Sequence, residues 1–130
     1  MLLTPLFAAI LGLFYIYLSL SVVKVRFGDK ISLGTSENRA LEKAVRIHGN
    51  FAEYVPIVLI LMWFVETMTM SRSLVLITGV LLVIGRIMHM IGMKNPRKWL
   101  ILRQFGTVIT LGIIGFLSLY LLYWYLPVVL

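Results

Sequence analysis

Between positions 46 and 56 the chain reads Arg46-Ile47-His48-Gly49-Asn50-Phe51-Ala52-Glu53-Tyr54-Val55-Pro56. A guanidinium, an amide, a carboxylate and a phenol in one short run can grip a small zwitterion that carries carboxylates and an amine. At 100° per residue, Arg39, Arg46, Asn50 and Glu53 share a helical face about 60° wide; Tyr54 flanks it and His48 points nearly opposite. The run opens an otherwise apolar stretch. A charge at the centre of a membrane helix costs roughly 2.5–3.5 kcal/mol on insertion scales, so such groups persist where they pair within the protein or line a wet cavity. The cluster marks either a ligand site or a set of interhelical pairs.

Other residues can join this chemistry. Arg86 lies about six residues, or ~9 Å, inside the third apolar segment. Glu53 has a similar depth, so an Arg86–Glu53 ion pair is expected. His89 follows Arg86 by three residues on the same face and can donate a hydrogen bond or titrate near neutrality. Arg103 opens the fourth apolar segment, where a cation can favour a thiolate or carboxylate; the alternative is a snorkelling anchor. Pro56 frees the carbonyl of Ala52, and a kink there is expected to open space beside Glu53. Glu66 is expected to reach the interface at the far end of the second segment.

Four apolar segments must position these groups: about 2–23, 44–68, 74–93 and 104–126. Each is near the ~20 residues a helix needs to cross ~30 Å of hydrocarbon. Lipid offers the backbone no partners, so segments of this length must be helices. The fold class is therefore all-α, an integral membrane four-helix bundle forming a single domain over 1–130. Thr35 or Ser36 is expected to cap the second helix, with Glu37 in its first turn. Ala8 and Gly12 have the spacing of a close helix contact. Tyr120, Tyr123, Trp124 and Tyr125 read as an interfacial aromatic belt.

Composition supports this class. Of 130 residues, 61% are hydrophobic and 13% charged, whereas a soluble domain is about half apolar and about a quarter charged. The net charge of +7 gathers beside the spans, which favours lipid contact and orientation over nucleic acid. Lys24, Arg26, Lys30, Arg39 and Lys43 fill the first connection; Lys94, Arg97, Lys98 and Arg103 fill the third. In a four-span chain these share one side, expected to be cytoplasmic, with both termini outside. The first 23 residues carry no charged side chain; with neither a basic n-region nor a cleavage site evident, that segment reads as a retained span. With no cysteine and two histidines, neither a disulfide framework nor a metal centre is indicated.

The run Arg46-x-x-x-Asn50-x-x-Glu53-Tyr54-x-Pro56, with Arg86 and Gly92 in the third helix and the basic loop before the fourth, resembles the MAPEG superfamily of membrane-associated proteins in eicosanoid and glutathione metabolism. The likeness covers the four-span layout over nearly the whole chain. It is nearest the small bacterial members related to microsomal glutathione S-transferase, which implies a bacterial inner membrane. The resemblance implies a homotrimer of four-helix bundles, with glutathione as co-substrate bound at the cytoplasmic side between subunits. By position, Arg46, Asn50, Glu53 and Tyr54 correspond to glutathione contacts. His48 is implied to face the site from the adjoining subunit, and Arg26 to meet a carboxylate.

The chain also departs from the family pattern. Well-studied enzymes offer tyrosines from helix three where this chain has His89 and Met93. Neither Arg103 nor Arg97 aligns cleanly with the thiol-activating arginine. Should the chain be an enzyme, Arg103 and His89 are the residues that would assist the thiolate, the nucleophilic form of a thiol whose free pKa is about 8.5. Three readings stay open: a glutathione transferase or peroxidase acting on lipophilic electrophiles, a non-catalytic MAPEG-type protein binding a lipid or thiol, and a small four-helix multidrug transporter. The last is disfavoured because transporters of that size carry an essential glutamate in helix one, and span one here has no carboxylate or other charged residue.

Overall fold

The computed structural model describes residues 2–35, 37–95 and 97–130. Four helices follow in order: α1 (Thr4–Asp29), α2 (Arg39–Thr69), α3 (Arg72–Lys94) and α4 (Leu100–Val129). All four are long and apolar enough to cross a membrane, and the described residues contain no strand. The expected all-α four-helix architecture is thus what the chain adopts.

The helices outrun the apolar segments that announced them. α1 has 26 residues and α2 has 31, lengths of about 39 and 46 Å at 1.5 Å per residue. Hydropathy marks only the ~30 Å that lipid covers. Beyond it, turns such as Lys24–Asp29 and Arg39–Lys43 stay helical with polar side chains in the water-facing zone.

Helix ends follow local chemistry. Pro5 stands at the start of α1, where its missing N–H costs nothing. α2 is capped by Asn38, whose side-chain oxygen accepts from the Leu41 N–H at 3.0 Å. This corrects the expectation for Thr35 or Ser36: Asn38 has the extended backbone a cap requires, Thr35 lies three residues earlier, and Ser36 lies outside the described residues. Glu42, rather than Glu37, is the acid in the first turn. At the other end of α2, Met70 adopts a left-handed conformation (φ 55°), which lets α3 begin two residues later.

Two sets of contacts fix the helix directions. Lys94 at the end of α3 donates to the Tyr17 hydroxyl of α1 at 3.0 Å, and the start of α2 shares a cavity with the end of α3 and the start of α4. At the opposite end, Glu66 of α2 meets the first residues of α1. The bundle runs up, down, up, down. Every Lys and Arg except Arg72 and Arg86 gathers in the two connections at one end or the helix turns beside them.

Glu66 does not reach the interface as expected. It is 1% exposed, and its two carboxylate oxygens accept from the backbone N–H groups of Leu3 and, at 2.8 Å, Thr4. A carboxylate at a helix N-terminus satisfies orphan donors and meets the positive end of the helix dipole. That pairing makes the buried charge tolerable.

α3 and α4 pack most closely of all the helices. A β-carbon on Gly106 would collide with the Gly85 carbonyl and the His89 backbone, and one on Gly92 with the Arg103 backbone. Small residues let backbones meet, which is how membrane helices gain packing energy where lipid supplies no hydrophobic drive. Gly12 makes no such contact within the chain: a β-carbon there would meet nothing within 4 Å. With Ala8 it lies at the surface of α1 rather than at a helix crossing like that of Gly106. They line an open apolar groove between α1 and α2 that also holds Pro56 and Phe51.

Candidate functional site

The buried face of α2 is formed by Ile47, Phe51, Val58, Met62 and Val65. At 100° per residue its centre lies about a third of a turn from the stripe of Arg39, Arg46, Asn50 and Glu53. The stripe therefore runs along the edge of the bundle, and its members meet different fates.

Arg46 turns into a cavity of about 480 Å³ at the basic end, lined by Arg39, Glu42, Lys43 and Arg46 from α2, Met93 from α3 and Arg103 from α4. Four cations and one carboxylate share this space. Low-dielectric walls lined by one sign of charge concentrate anions of the opposite sign, and arginine forks suit carboxylates. Arg103 reaches the wall because Gly92 lets the start of α4 press against α3. Two of the residues proposed by their types, Arg46 and Arg103, are thereby brought together although 57 positions separate them in sequence.

Asn50 faces inward. Its side-chain oxygen accepts from Arg86 Nη1 at 2.8 Å. Arg86 Nη2 donates to the Gly106 carbonyl at 3.0 Å and to the Thr110 hydroxyl, while its Nε has no partner. Arg86 is 3% exposed. Here the expected Arg86–Glu53 ion pair is corrected. At matching depth the two residues point in different directions from neighbouring helices, and Arg86 is held by neutral oxygens instead. A cation bonded to neutral acceptors keeps a net charge inside the bundle.

Glu53 is exposed on the side of the chain and has no ion-pair or hydrogen-bond partner among the described residues. The space expected beside it from Pro56 is elsewhere: α2 stays helical through Pro56, and the groove there opens toward α1, with Ala52 and Val55 rather than Glu53 in its wall. Tyr54 is half-buried.

His48, nearly opposite the stripe on the helical wheel, packs against α1. Its Nε2 lies 3.1 Å from the Ser19 hydroxyl, and its ring packs on Tyr15 with centroids 4.8 Å apart. His89 is 5% exposed and packed where Gly106 crosses α3; it is not part of the cavity wall that holds Arg46 and Arg103. Arg26 donates to the Gly34 carbonyl at 3.1 Å and lines a separate cavity at the α1–α2 corner. Within one chain the structure thus joins Arg46 with Arg103 and Asn50 with Arg86, and leaves His48, Glu53, His89 and Arg26 apart.

Sequence reasoning missed the roles of Lys43, Glu42 and Thr110. Lys43 and Glu42 carried a signal, since each lies within four residues of Arg39 or Arg46 on an amphipathic turn. Thr110 carried none, because a lone threonine in an apolar span usually bonds its own backbone, as Thr110 also does with the Gly106 carbonyl at 2.9 Å.

Among the described residues no group of three or more His, Cys, Asp or Glu side chains is placed to hold a metal ion. The arrangement is suited to an anionic small molecule at the basic end.

Comparison with known proteins agrees with this picture. A family model described as the MAPEG family matches residues 4–123. The inner membrane protein YecN of Escherichia coli, in two strains, is 35% identical over 92 residues, covering 71% of this chain and 70% of the relative. No solved structure matches. That family is associated with glutathione and eicosanoid metabolism in membranes. A four-helix membrane protein matched over almost its whole length, the chain belongs to the MAPEG family.

Proposed function

We propose that the chain binds glutathione at the basic end of the bundle and acts as a glutathione transferase or peroxidase on lipophilic electrophiles. The observation that carries this reading is the cavity that Arg46 shares with Arg39, Lys43 and Arg103. Glutathione offers two carboxylates, an amine and a thiol. Arg46, with Asn50 and Tyr54, holds the peptide and its carboxylates; Glu53 takes the amine. A thiol is nucleophilic as its thiolate, which a cationic wall favours. Arg103 supplies that cation, with His89 behind it on α3.

Glu53 supports a further part of the reading. An exposed carboxylate on a membrane-crossing helix needs a partner. A neighbouring copy in a homotrimer, bringing its own His48 toward the shared site, provides one. The electrophile arrives from the lipid. Arg26, at the end of α1, is a weaker candidate for a carboxylate contact. The basic end lies in the cytoplasm with both termini outside, as the positive connections favour, in a bacterial inner membrane, which the inner-membrane relatives favour.

A second reading is favoured by one observation: Met93 stands in the cavity wall while His89 is buried beside it. A thioether cannot donate to a thiolate, which suits a non-catalytic protein that binds a lipid or a thiol.

Calorimetry of the detergent-purified protein tests both. Heat of glutathione binding that is lost in Arg46→Ala and Glu53→Gln supports the first reading. No heat at millimolar glutathione would sink it. Binding without turnover of an aryl halide supports the second.

A further inference from the structure

α1 and α3 touch at two levels. Toward the far end Phe7 lies over Gly79, where a β-carbon would strike its ring. At the basic end Lys94 donates to the Tyr17 hydroxyl at 3.0 Å, with its ammonium 5.4 Å from the centre of the Tyr17 ring. Between these contacts the two helices present an apolar seam, in which Ile10 of α1 and Val80 and Ile87 of α3 are exposed. At 100° per residue Ile10 lies about 20° from Tyr17 around α1, and Val80 and Ile87 lie within about 40° of Lys94 around α3. The seam stands apart from the groups assigned to glutathione. Arg26 is about half a turn from Tyr17 around α1, on the stripe of Ser19 and Tyr15, which face His48 of α2. The cavity shared by Arg46 and Arg103 takes Met93 into its wall, not Lys94.

Lys94 is a cation held low. Side chains on a helix tilt toward its N-terminus, and α3 runs toward the basic end, so Lys94 leans back along the span. Its contact fixes that direction: Tyr17 lies ~10 Å before Lys24 along α1, and Lys24 is the first charged side chain of that helix. The bond Lys94 makes is to a neutral phenol, and among the described residues no carboxylate pairs with it. An ammonium carries three donors, of which Tyr17 takes one; the Tyr17 hydroxyl accepts that bond and keeps its own proton to donate. Lys24 stands on the Tyr17 stripe about two turns closer to the basic end. An anion at this level therefore meets two cations and a phenolic O–H, with apolar side chains directly below.

We infer that the basic end of the α1–α3 seam binds an anionic phospholipid, with Lys94, Lys24 and the Tyr17 hydroxyl on the phosphate and Ile10, Val80 and Ile87 along an acyl chain. Basic side chains at the membrane surface attract anionic headgroups. The occupant is the lipid rather than free phosphate, because the cations stand at the head of an apolar seam that free phosphate cannot cover.

The test uses the full chain in detergent, with native mass spectrometry of bound phosphatidylglycerol and phosphatidylcholine of equal chain length. The parent is expected to retain phosphatidylglycerol preferentially, and Lys94→Gln to lose roughly fivefold of that preference, as one interfacial cation should give. Lys98→Gln makes the same charge change in the connection beyond α3 and is expected to keep it. Equal retention of the two lipids by the parent, or equal loss in the two variants, overturns the site. Displacement of phosphatidylglycerol by equimolar inorganic phosphate overturns the lipid as occupant. Ile87→Trp gives a second readout in a chain whose charges are intact. The fluorescence it adds is expected to be quenched more by phosphatidylglycerol brominated in its acyl chains than by phosphatidylcholine brominated in the same way. Equal quenching overturns the proposal; quenching by neither lipid means that a second copy of the chain covers the seam, which overturns it too.

Discussion

Arg86 of α3 and Asn50 of α2 meet across the bundle at 2.8 Å, and this bond ties the polar stripe of α2 to the α3–α4 pair. Arg86 also holds the Gly106 carbonyl and the Thr110 hydroxyl. One guanidinium thus bridges three helices at membrane depth.

Removing the hub should cost more than removing one spoke. Arg86→Ala removes three hydrogen bonds at once and is expected to destabilise by about 3 kcal/mol, against about 1 kcal/mol for Asn50→Ala. Thermal unfolding in detergent checks the order. Asn50→Ala costing as much as Arg86→Ala would mean that the Gly106 and Thr110 bonds contribute little.

The glycines on α4 should not be equivalent. Gly106→Ala drives a methyl into the Gly85 carbonyl and the His89 backbone and is expected to destabilise by about 3 kcal/mol through forced separation of α3 and α4. Gly112→Ala meets nothing within 4 Å and should be neutral or stabilising by up to about 1 kcal/mol from helix propensity. The same unfolding assay, run on both variants, distinguishes them.

Glu66 should govern the start of α1. Glu66→Gln keeps an acceptor but loses the charge at the helix N-terminus, for an expected cost of about 1–2 kcal/mol. Protection of the Leu3 and Thr4 amides in hydrogen exchange should fall first, ahead of any change at the basic end. Unchanged protection would show that the carboxylate is dispensable there.

Arg103 should tune a bound thiol. With glutathione in place, a nearby cation lowers the pH at which thiolate absorbance appears. In Arg103→Gln that onset should move up toward the free-thiol pKa of about 8.5. At fixed neutral pH the variant should therefore show less thiolate and slower turnover. An onset that stays where the parent has it would assign thiol activation to another residue.

Asn38 should matter twice. It caps α2 through Leu41 and binds Asp29 across the corner. Asn38→Ala should cost about 1 kcal/mol for the cap and loosen residues 30–35, seen as faster proteolysis of that connection.

Sequence alone determined the four membrane helices, the shared side of the basic connections and the family. Those follow from composition and local period: lipid forces each long apolar segment into a helix, and the run from Arg46 to Pro56 is read within one helix turn after another. It also placed His48 opposite the stripe. Only the tertiary structure decided who meets whom. Arg86 binds Asn50 rather than Glu53 because the direction of a side chain around α3 depends on how α3 rotates against α4, and that rotation is set by the backbone contacts at Gly85, Gly92 and Gly106. Glu66 is buried because α1 starts beside it, a relation between residues 62 and 63 positions apart. Arg103 joins Arg46 for the same reason. Depth along a helix is a property of the sequence; azimuth between helices is a property of the packed bundle.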